Sequence, residues 1–243
     1  MTPNPPTLLQ CVAGIGLLLL SAATCAAPPT VAKDEPTPES VGRLDVRTLV
    51  RDIDVRMPYA GSGNFVGRPV DGYGAARCYL LAPAAQALQR VEVALRREDL
   101  RLRVFDCYRP MRAVRDFVRW AGDESDQRTR ATFYPRLRKD QLLGDYISPT
   151  SGHSRGATID LTLMDCERRT GACKPLDMGT PFDFFDTTAH TDSDAVTRQQ
   201  HRNRVRLREA MEREGFGNYP LEWWHYTLQP EPAPVTFHDA PIR

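Results

Sequence analysis

Residues 151–163, SGHSRGATIDLTL, decide how this chain is read. Gly156 permits a turn, and the run from Ala157 to Leu163 then alternates small or polar with apolar side chains, which predicts a β-strand. His153 and Asp160 stand seven residues apart across that turn, so a loop entering a strand can aim both inward. A second stretch, Glu222–Leu228 (EWWHYTL), is aromatic and β-prone and supplies His225 from a neighbouring strand. Neutral imidazoles and a carboxylate are zinc donors, and catalytic zinc takes three protein ligands and leaves one position open. Any one of these side chains alone is better explained as a hydrogen-bonded core residue or an ion-pair partner. Their combination shifts the balance towards a metal centre. Glu222 and His225 pose a geometric problem, because residues three apart oppose each other on a flat strand. A bend or bulge near Trp223, or a metal held between loop and strand, must reconcile them.

Outward from these stretches, Ala84, Leu88, Val91 and Leu95 recur at helical spacing and predict a helix over 83–98. Leu100–Phe105 alternates as a strand, and Pro110 opens a helix through 120. Residues 57–77 are rich in glycine and read as loops and short strands shaped around something. Residues 121–150 are polar and irregular, with a short helix expected around 135–143. A charged helix over about 194–214 ends at Gly215, its arginines at 202, 204, 206 and 208 reading as a solvated face. The expectation is one α+β domain with a mostly antiparallel central sheet and helices packed to one side.

The 243 residues carry 32 Lys+Arg against 31 Asp+Glu, so there is no basic field for nucleic acid. Beyond the N-terminus no stretch approaches the roughly 20 apolar residues of a spanning helix. Residues 1–26 hold no charged side chain and contain the apolar run Cys11–Leu20, which reads as an export signal cleaved near Ala26 or Ala27. Residues 27–42 read as a flexible linker, 43–231 as the catalytic domain and 232–243 as a C-terminal tail. The expected location is periplasmic, the alternatives being secretion or a lipid anchor through Cys25. Loss of Cys11 and Cys25 leaves Cys78, Cys107, Cys166 and Cys173, an even count that favours disulfides in an exported chain. A bridge from Cys166 to Cys173 would staple the short loop between them and leave Cys78 to Cys107. The two other pairings stay open.

The pattern S-x-H-x-x-G-x-x-x-D, followed by a late E-x-W-H, resembles the D-alanyl-D-alanine dipeptidases of the vancomycin-resistance type. These are zinc peptidases of family M15, related to cell-wall D,D-carboxypeptidases. The likeness runs from Tyr59 to Tyr226 and includes GNFVGRPVDGY, DCYRP, SGHSRGATIDLTL, MGTPFDFFD and EWWHY in order. It implies the Hedgehog/DD-peptidase-like fold and one Zn2+ per subunit on His153, Asp160 and His225. Glu222 would be the catalytic carboxylate, and Arg109 a catalytic cation supported by Asp106 and Trp223. Asp183 would meet a substrate ammonium, with Tyr59, Tyr73 and Ser151 shaping a small pocket. The implied reaction is hydrolysis of D-Ala-D-Ala to two D-alanines by metal-activated water with Glu222 as base, the partner being a small D-amino-acid dipeptide. The rivals are a D,D- or L,D-carboxypeptidase trimming stem peptides and a non-catalytic cell-wall binding module.

Overall fold

The computed structural model describes Thr30–Val31 and residues 36–243. The export signal, the lipid-anchor alternative at Cys25 and residues 27–29 and 32–35 of the linker therefore lie outside the described residues.

In chain order the strands and helices are β1 (Thr30–Val31), β2 (Arg43–Asp45), β3 (Asp54–Val55), β4 (Tyr79–Leu81), α1 (Ala82–Arg96), β5 (Leu100–Asp106), α2 (Met111–Gly122), α3 (Arg130–Phe133), β6 (Thr158–Cys166), β7 (Cys173–Pro175), α4 (Arg198–Glu212), β8 (Phe216–Asn218), β9 (His225–Leu228) and β10 (Thr236–Phe237). The main sheet has the order β3-β5-β6-β9-β8, with β7 also paired to β6. Only the β3–β5 pair in it is parallel. β6 is the spine: β5 runs along one edge, while β9 takes the first half of the other edge and β7 the second. This is the α+β architecture with a mostly antiparallel sheet that the sequence predicts.

β6 is buried on both faces from Thr158 to Met164. Ile159, Leu161 and Leu163 lie on one face, beside Leu102 and Val104 of β5 across the ladder. α1 and α4 pack against the sheet and against each other. All four apolar positions that mark α1 in the sequence are buried. The opposite face of β6 carries Thr158, Asp160 and Thr162, and on it the site is built.

Three elements differ from the sequence reading. α4 starts at Arg198 because the Thr197 side chain caps it, accepting from Gln200 N, with Gln200 bonding back in a capping box. Arg204 of α4 is buried, its Nε and Nη1 donating to the carbonyls of Met178 and His190 at 2.7 Å, so the arginine row is not wholly solvated. The expected helix near 135–143 is replaced by α3 and a 3-10 turn over Lys139–Leu142. The glycine-rich segment wraps Asn64, whose Nδ2 reaches the carbonyls of Pro58, Gly61 and Arg68 while Oδ1 accepts from Val66 N and Gly67 N. The C-terminal segment is an extended strap: Ala240 and Ile242 are buried, and Ala240 O accepts from Tyr108 Oη at 3.1 Å.

Candidate metal centre and substrate cavity

Two strand registers place the site. Asp160 of β6 stands directly across from His225 of β9 on one side and from Asp106 of β5 on the other. Plain alternation would send Asp106 to the helix face with Leu102 and Val104. The β5–β6 register slips between Val104 and Asp106, so that Phe105 is the extra residue of a β-bulge and Asp106 turns to the site face. His153 arrives separately, from the 3-10 turn Gly152–Arg155, which Ser151 caps by accepting from His153 N. Gly156 closes that turn at φ +89°, where a Cβ would also strike Arg43 Nε at 2.6 Å. Gly156 is thus required on both counts.

His153 Nε2 lies 3.3 Å from Asp160 Oδ2 and 3.3 Å from His225 Nδ1, and His225 Nδ1 lies 3.1 Å from Asp160 Oδ1. Donors held at about 2.0–2.2 Å from a tetrahedral ion stand roughly 3.3 Å apart, so this spacing fits one zinc ion. Asp160 Oδ1 is buried without a hydrogen-bond partner, the state of an oxygen that a metal satisfies. Burial opposes its ionisation, but the two imidazoles outweigh burial and hold the Asp160 carboxyl well below the usual range. His153 Nδ1 is 2.7 Å from Cys107 O. A carbonyl can only accept, so Nδ1 carries the proton and Nε2 is left as the donor to metal.

Glu222 solves its geometric problem by leaving the strand. β9 begins only at His225, and Glu222 lies in a turn closed by Glu222 N to Tyr219 O at 3.0 Å and His225 N to Glu222 O at 3.2 Å. Glu222 Oε2 thereby comes within 3.4 Å of His225 Nδ1. Burial, reinforced by Asp160 and Asp183 and opposed by His225, raises the Glu222 carboxyl to about 8.

Arg109 follows β5 immediately before α2. Its Nε and Nη2 both reach Asp106 Oδ2 at 2.9 Å, and Nη2 lies 3.7 Å from Asp160 Oδ2. The guanidinium is flanked by the Tyr59 and Phe117 rings at 5.4 and 5.0 Å. Burial opposes its charge, but Asp106 and the other acidic groups around it keep it firmly cationic. Tyr73 Oη donates to Asp106 Oδ1 at 2.6 Å, which places Tyr73 behind Arg109 rather than in the cavity wall.

A cavity of about 220 Å3 opens over these groups. It is lined by Arg109, His153, Asp160, Asp183, Glu222 and His225 together with Tyr59 and Ser151. It is smaller than the roughly 300–1,000 Å3 of sites for drug-sized ligands. Asp183 is buried at φ +60°, and Tyr59 Oη lies 3.1 and 2.9 Å from its two carboxylate oxygens. Desolvation, with Asp160 nearby, pushes Asp183 well above its ordinary value. Trp223 does not reach this cavity: its Nε1 donates to Thr180 Oγ1 at 2.8 Å, on a separate apolar pocket with Phe105 and Phe182. Its neighbour Trp224 lines the site instead. Tyr146, Phe117, Phe185 and Tyr219 also line it and were not singled out from the sequence. The apolar face of α2 could have indicated Phe117. The irregular segment around Tyr146 offers no periodic signal.

Both disulfides are formed, Cys78 with Cys107 and Cys166 with Cys173. Among the described residues no helix is long and apolar enough to cross a membrane.

A family model described as D-ala-D-ala dipeptidase, Peptidase_M15, matches residues 39–242. The chain is 38% identical over 204 residues to a D-alanyl-D-alanine dipeptidase of Enterococcus faecium, covering 84% of this chain and 99% of that one. It is 42% identical over 200 residues to a Streptomyces coelicolor protein of the same description, covering 81% and 96%. An Escherichia coli protein so described is 30% identical over 185 residues, covering 76% and 83%. With its donor trio, small cavity and matched length, the chain belongs to the M15 family of D-Ala-D-Ala dipeptidases.

Proposed function

We propose that this protein is a zinc dipeptidase that hydrolyses D-Ala-D-Ala to two D-alanines outside the cytoplasm. One observation carries the choice of a free dipeptide over a longer stem peptide: the buried Asp183 carboxylate shares a 220 Å3 cavity with the His153–Asp160–His225 trio. Three carboxylates of the cavity, Asp160, Asp183 and Glu222, and Asp106 behind Arg109 surround one guanidinium, leaving three negative charges uncompensated when all are ionised. A divalent cation and a substrate ammonium are the charges that such a site takes up.

His153, Asp160 and His225 would hold zinc, which when bound would supply Lewis acidity and make solvent nucleophilic near neutral pH. Glu222 takes a proton from the attacking water and returns it to the leaving amine. Its raised pKa suits that exchange near neutrality. Arg109, clamped by Asp106, presents positive charge fixed in advance to the oxyanion that forms from the peptide carbonyl. Asp183, held by Tyr59, receives the ammonium end and sets which bond reaches Glu222. The two disulfides, with the apolar N-terminal run, support an oxidising location such as the periplasm.

A panel of D-Ala-D-Ala, L-Ala-L-Ala and an N-acylated D-Ala-D-Ala peptide tests this reading. Cleavage of the first alone is expected. Preference for the blocked peptide would replace the dipeptidase with a D,D-carboxypeptidase, and zinc binding without any hydrolysis would favour a binding module.

A further inference from the structure

The two disulfides hold different parts of the molecule. Cys166–Cys173 bonds opposite residues of the β6–β7 hairpin, and Cys173 is exposed. Cys78–Cys107 is fully buried. It ties the residue before β4 to the residue after β5, at the point where the chain leaves the sheet and enters the loop that carries Arg109. Beside it, Tyr108 N bonds Tyr79 O at 2.9 Å. The other side of the loop meets the His153 turn, through Arg109 N to His153 O at 3.3 Å and His153 Nδ1 to Cys107 O at 2.7 Å. A bridging cysteine thus supplies the carbonyl that orients a metal-binding imidazole. A second acceptor competes for the same proton, since Asp106 Oδ2 lies 3.5 Å from His153 Nδ1.

We propose that the Cys78–Cys107 disulfide is a positioning element of the metal centre, holding the Cys107 carbonyl against His153 Nδ1 so that the ring keeps Nε2 aimed at the ion. The inference rests on the metal reading above. The β5–β6 ladder ends at the Asp106–Asp160 pair, and just beyond it the cross-link ties Cys107 to the start of β4, beside the Tyr108 N to Tyr79 O hydrogen bond. With the bridge removed, the carbonyl moves off, the ring reorients towards Asp106, and zinc binds less tightly. Loss of such an outer hydrogen bond to a metal-bound histidine costs about 10- to 100-fold in affinity.

The test is zinc affinity by chelator competition for the parent, for C78A/C107A, for the bulkier C78V/C107A and for the control C166A/C173A, each checked for folding by near-UV circular dichroism. The expected result is a dissociation constant raised about 10- to 100-fold in a folded Cys78/Cys107 variant and little changed in the control. A folded variant that binds zinc as tightly as the parent overturns the proposal, as does an equal loss in the control. If neither Cys78/Cys107 variant folds, the imidazole nitrogen spectrum of the metal-free parent decides. His153 must be the Nδ1–H tautomer, and an Nε2–H tautomer overturns the proposal. A parent that binds no zinc refutes the metal reading instead, so the two failures are distinguishable.

Discussion

Asp106 stands opposite Asp160 across β5 and β6 only because Phe105 bulges out of the ladder, and Arg109 bridges the two carboxylates at 2.9 and 3.7 Å. The bulge therefore converts a core-facing position into the anchor of the site's guanidinium. Asp106→Asn removes the charge that clamps Arg109 while keeping the side chain's shape. We expect kcat to fall roughly 10- to 100-fold, the scale of a misplacement of about 1 Å, with KM much less affected. Steady-state kinetics on D-Ala-D-Ala checks this, and an unchanged kcat would separate Asp106 from catalysis.

Glu222→Gln keeps the size of the side chain and deletes its proton exchange. A loss of about 10²- to 10⁴-fold in kcat is expected, with one zinc per chain still bound. Metal analysis of the purified variant accompanies the rate measurement. Turnover at the parent rate with zinc in place would remove Glu222 from the chemistry.

Asp183→Asn is tolerated by the backbone, since asparagine also adopts positive φ. It removes the carboxyl that ionises against the substrate ammonium. Truncating one partner of a buried charged pair costs about 2–5 kcal/mol, so kcat/KM should drop roughly 30-fold or more. Equal efficiency of parent and variant would place the amine elsewhere.

Removal of zinc with a chelator should abolish hydrolysis and lower the melting temperature, and both should return with added zinc. A ligand at 100 times its dissociation constant stabilises the folded state by about 2.7 kcal/mol. Scanning calorimetry with and without zinc reads this difference. Identical melting curves would mean that His153, Asp160 and His225 hold no ion.

Acid stability is expected to depend on Asp186, which is buried and paired with Arg136 while also accepting from Thr188 N at 2.8 Å. Burial works against ionisation, yet Arg136 and the cap lower the carboxyl from 3.8 to about 2. Because the folded value is depressed, this stabilisation is present above pH 3.8 and is lost as the pH falls towards 2. Arg136 is largely exposed, so the contribution is about 1–2 kcal/mol after allowance for solvent screening. Comparing unfolding of the metal-free parent and Asp186→Asn between pH 5 and pH 2 isolates it. Parallel pH slopes would contradict the assignment.

Much of the fold can be read along the chain. The 3.6-residue spacing of Ala84, Leu88, Val91 and Leu95 marks α1, because burial on one helical face leaves a local periodic trace. Alternation in β5 and β6 is equally plain. The departures arise where a single contact overrides a propensity. The aromatic run from Glu222 looks like a continuous strand, but a turn from Tyr219 to His225 holds its first half. Likewise, Arg204 sits in a row of arginines yet is buried, its Nε and Nη1 donating to the carbonyls of Met178 and His190 in other segments. No periodicity records such long-range partners.

Read by itself, the sequence determined the donor types, the turn at Gly156, the strand that follows it and the cysteines available for bridging, since these are carried by residue identity and local spacing. Tertiary structure alone decided that Asp160 has His225 on one side and Asp106 on the other, that Trp224 rather than Trp223 lines the cavity, and that the main-chain carbonyl of Cys107 meets His153 Nδ1. The reason lies in register: a slip of one residue turns a side chain to the opposite face of a sheet, and pairing between segments far apart in the chain sets that slip.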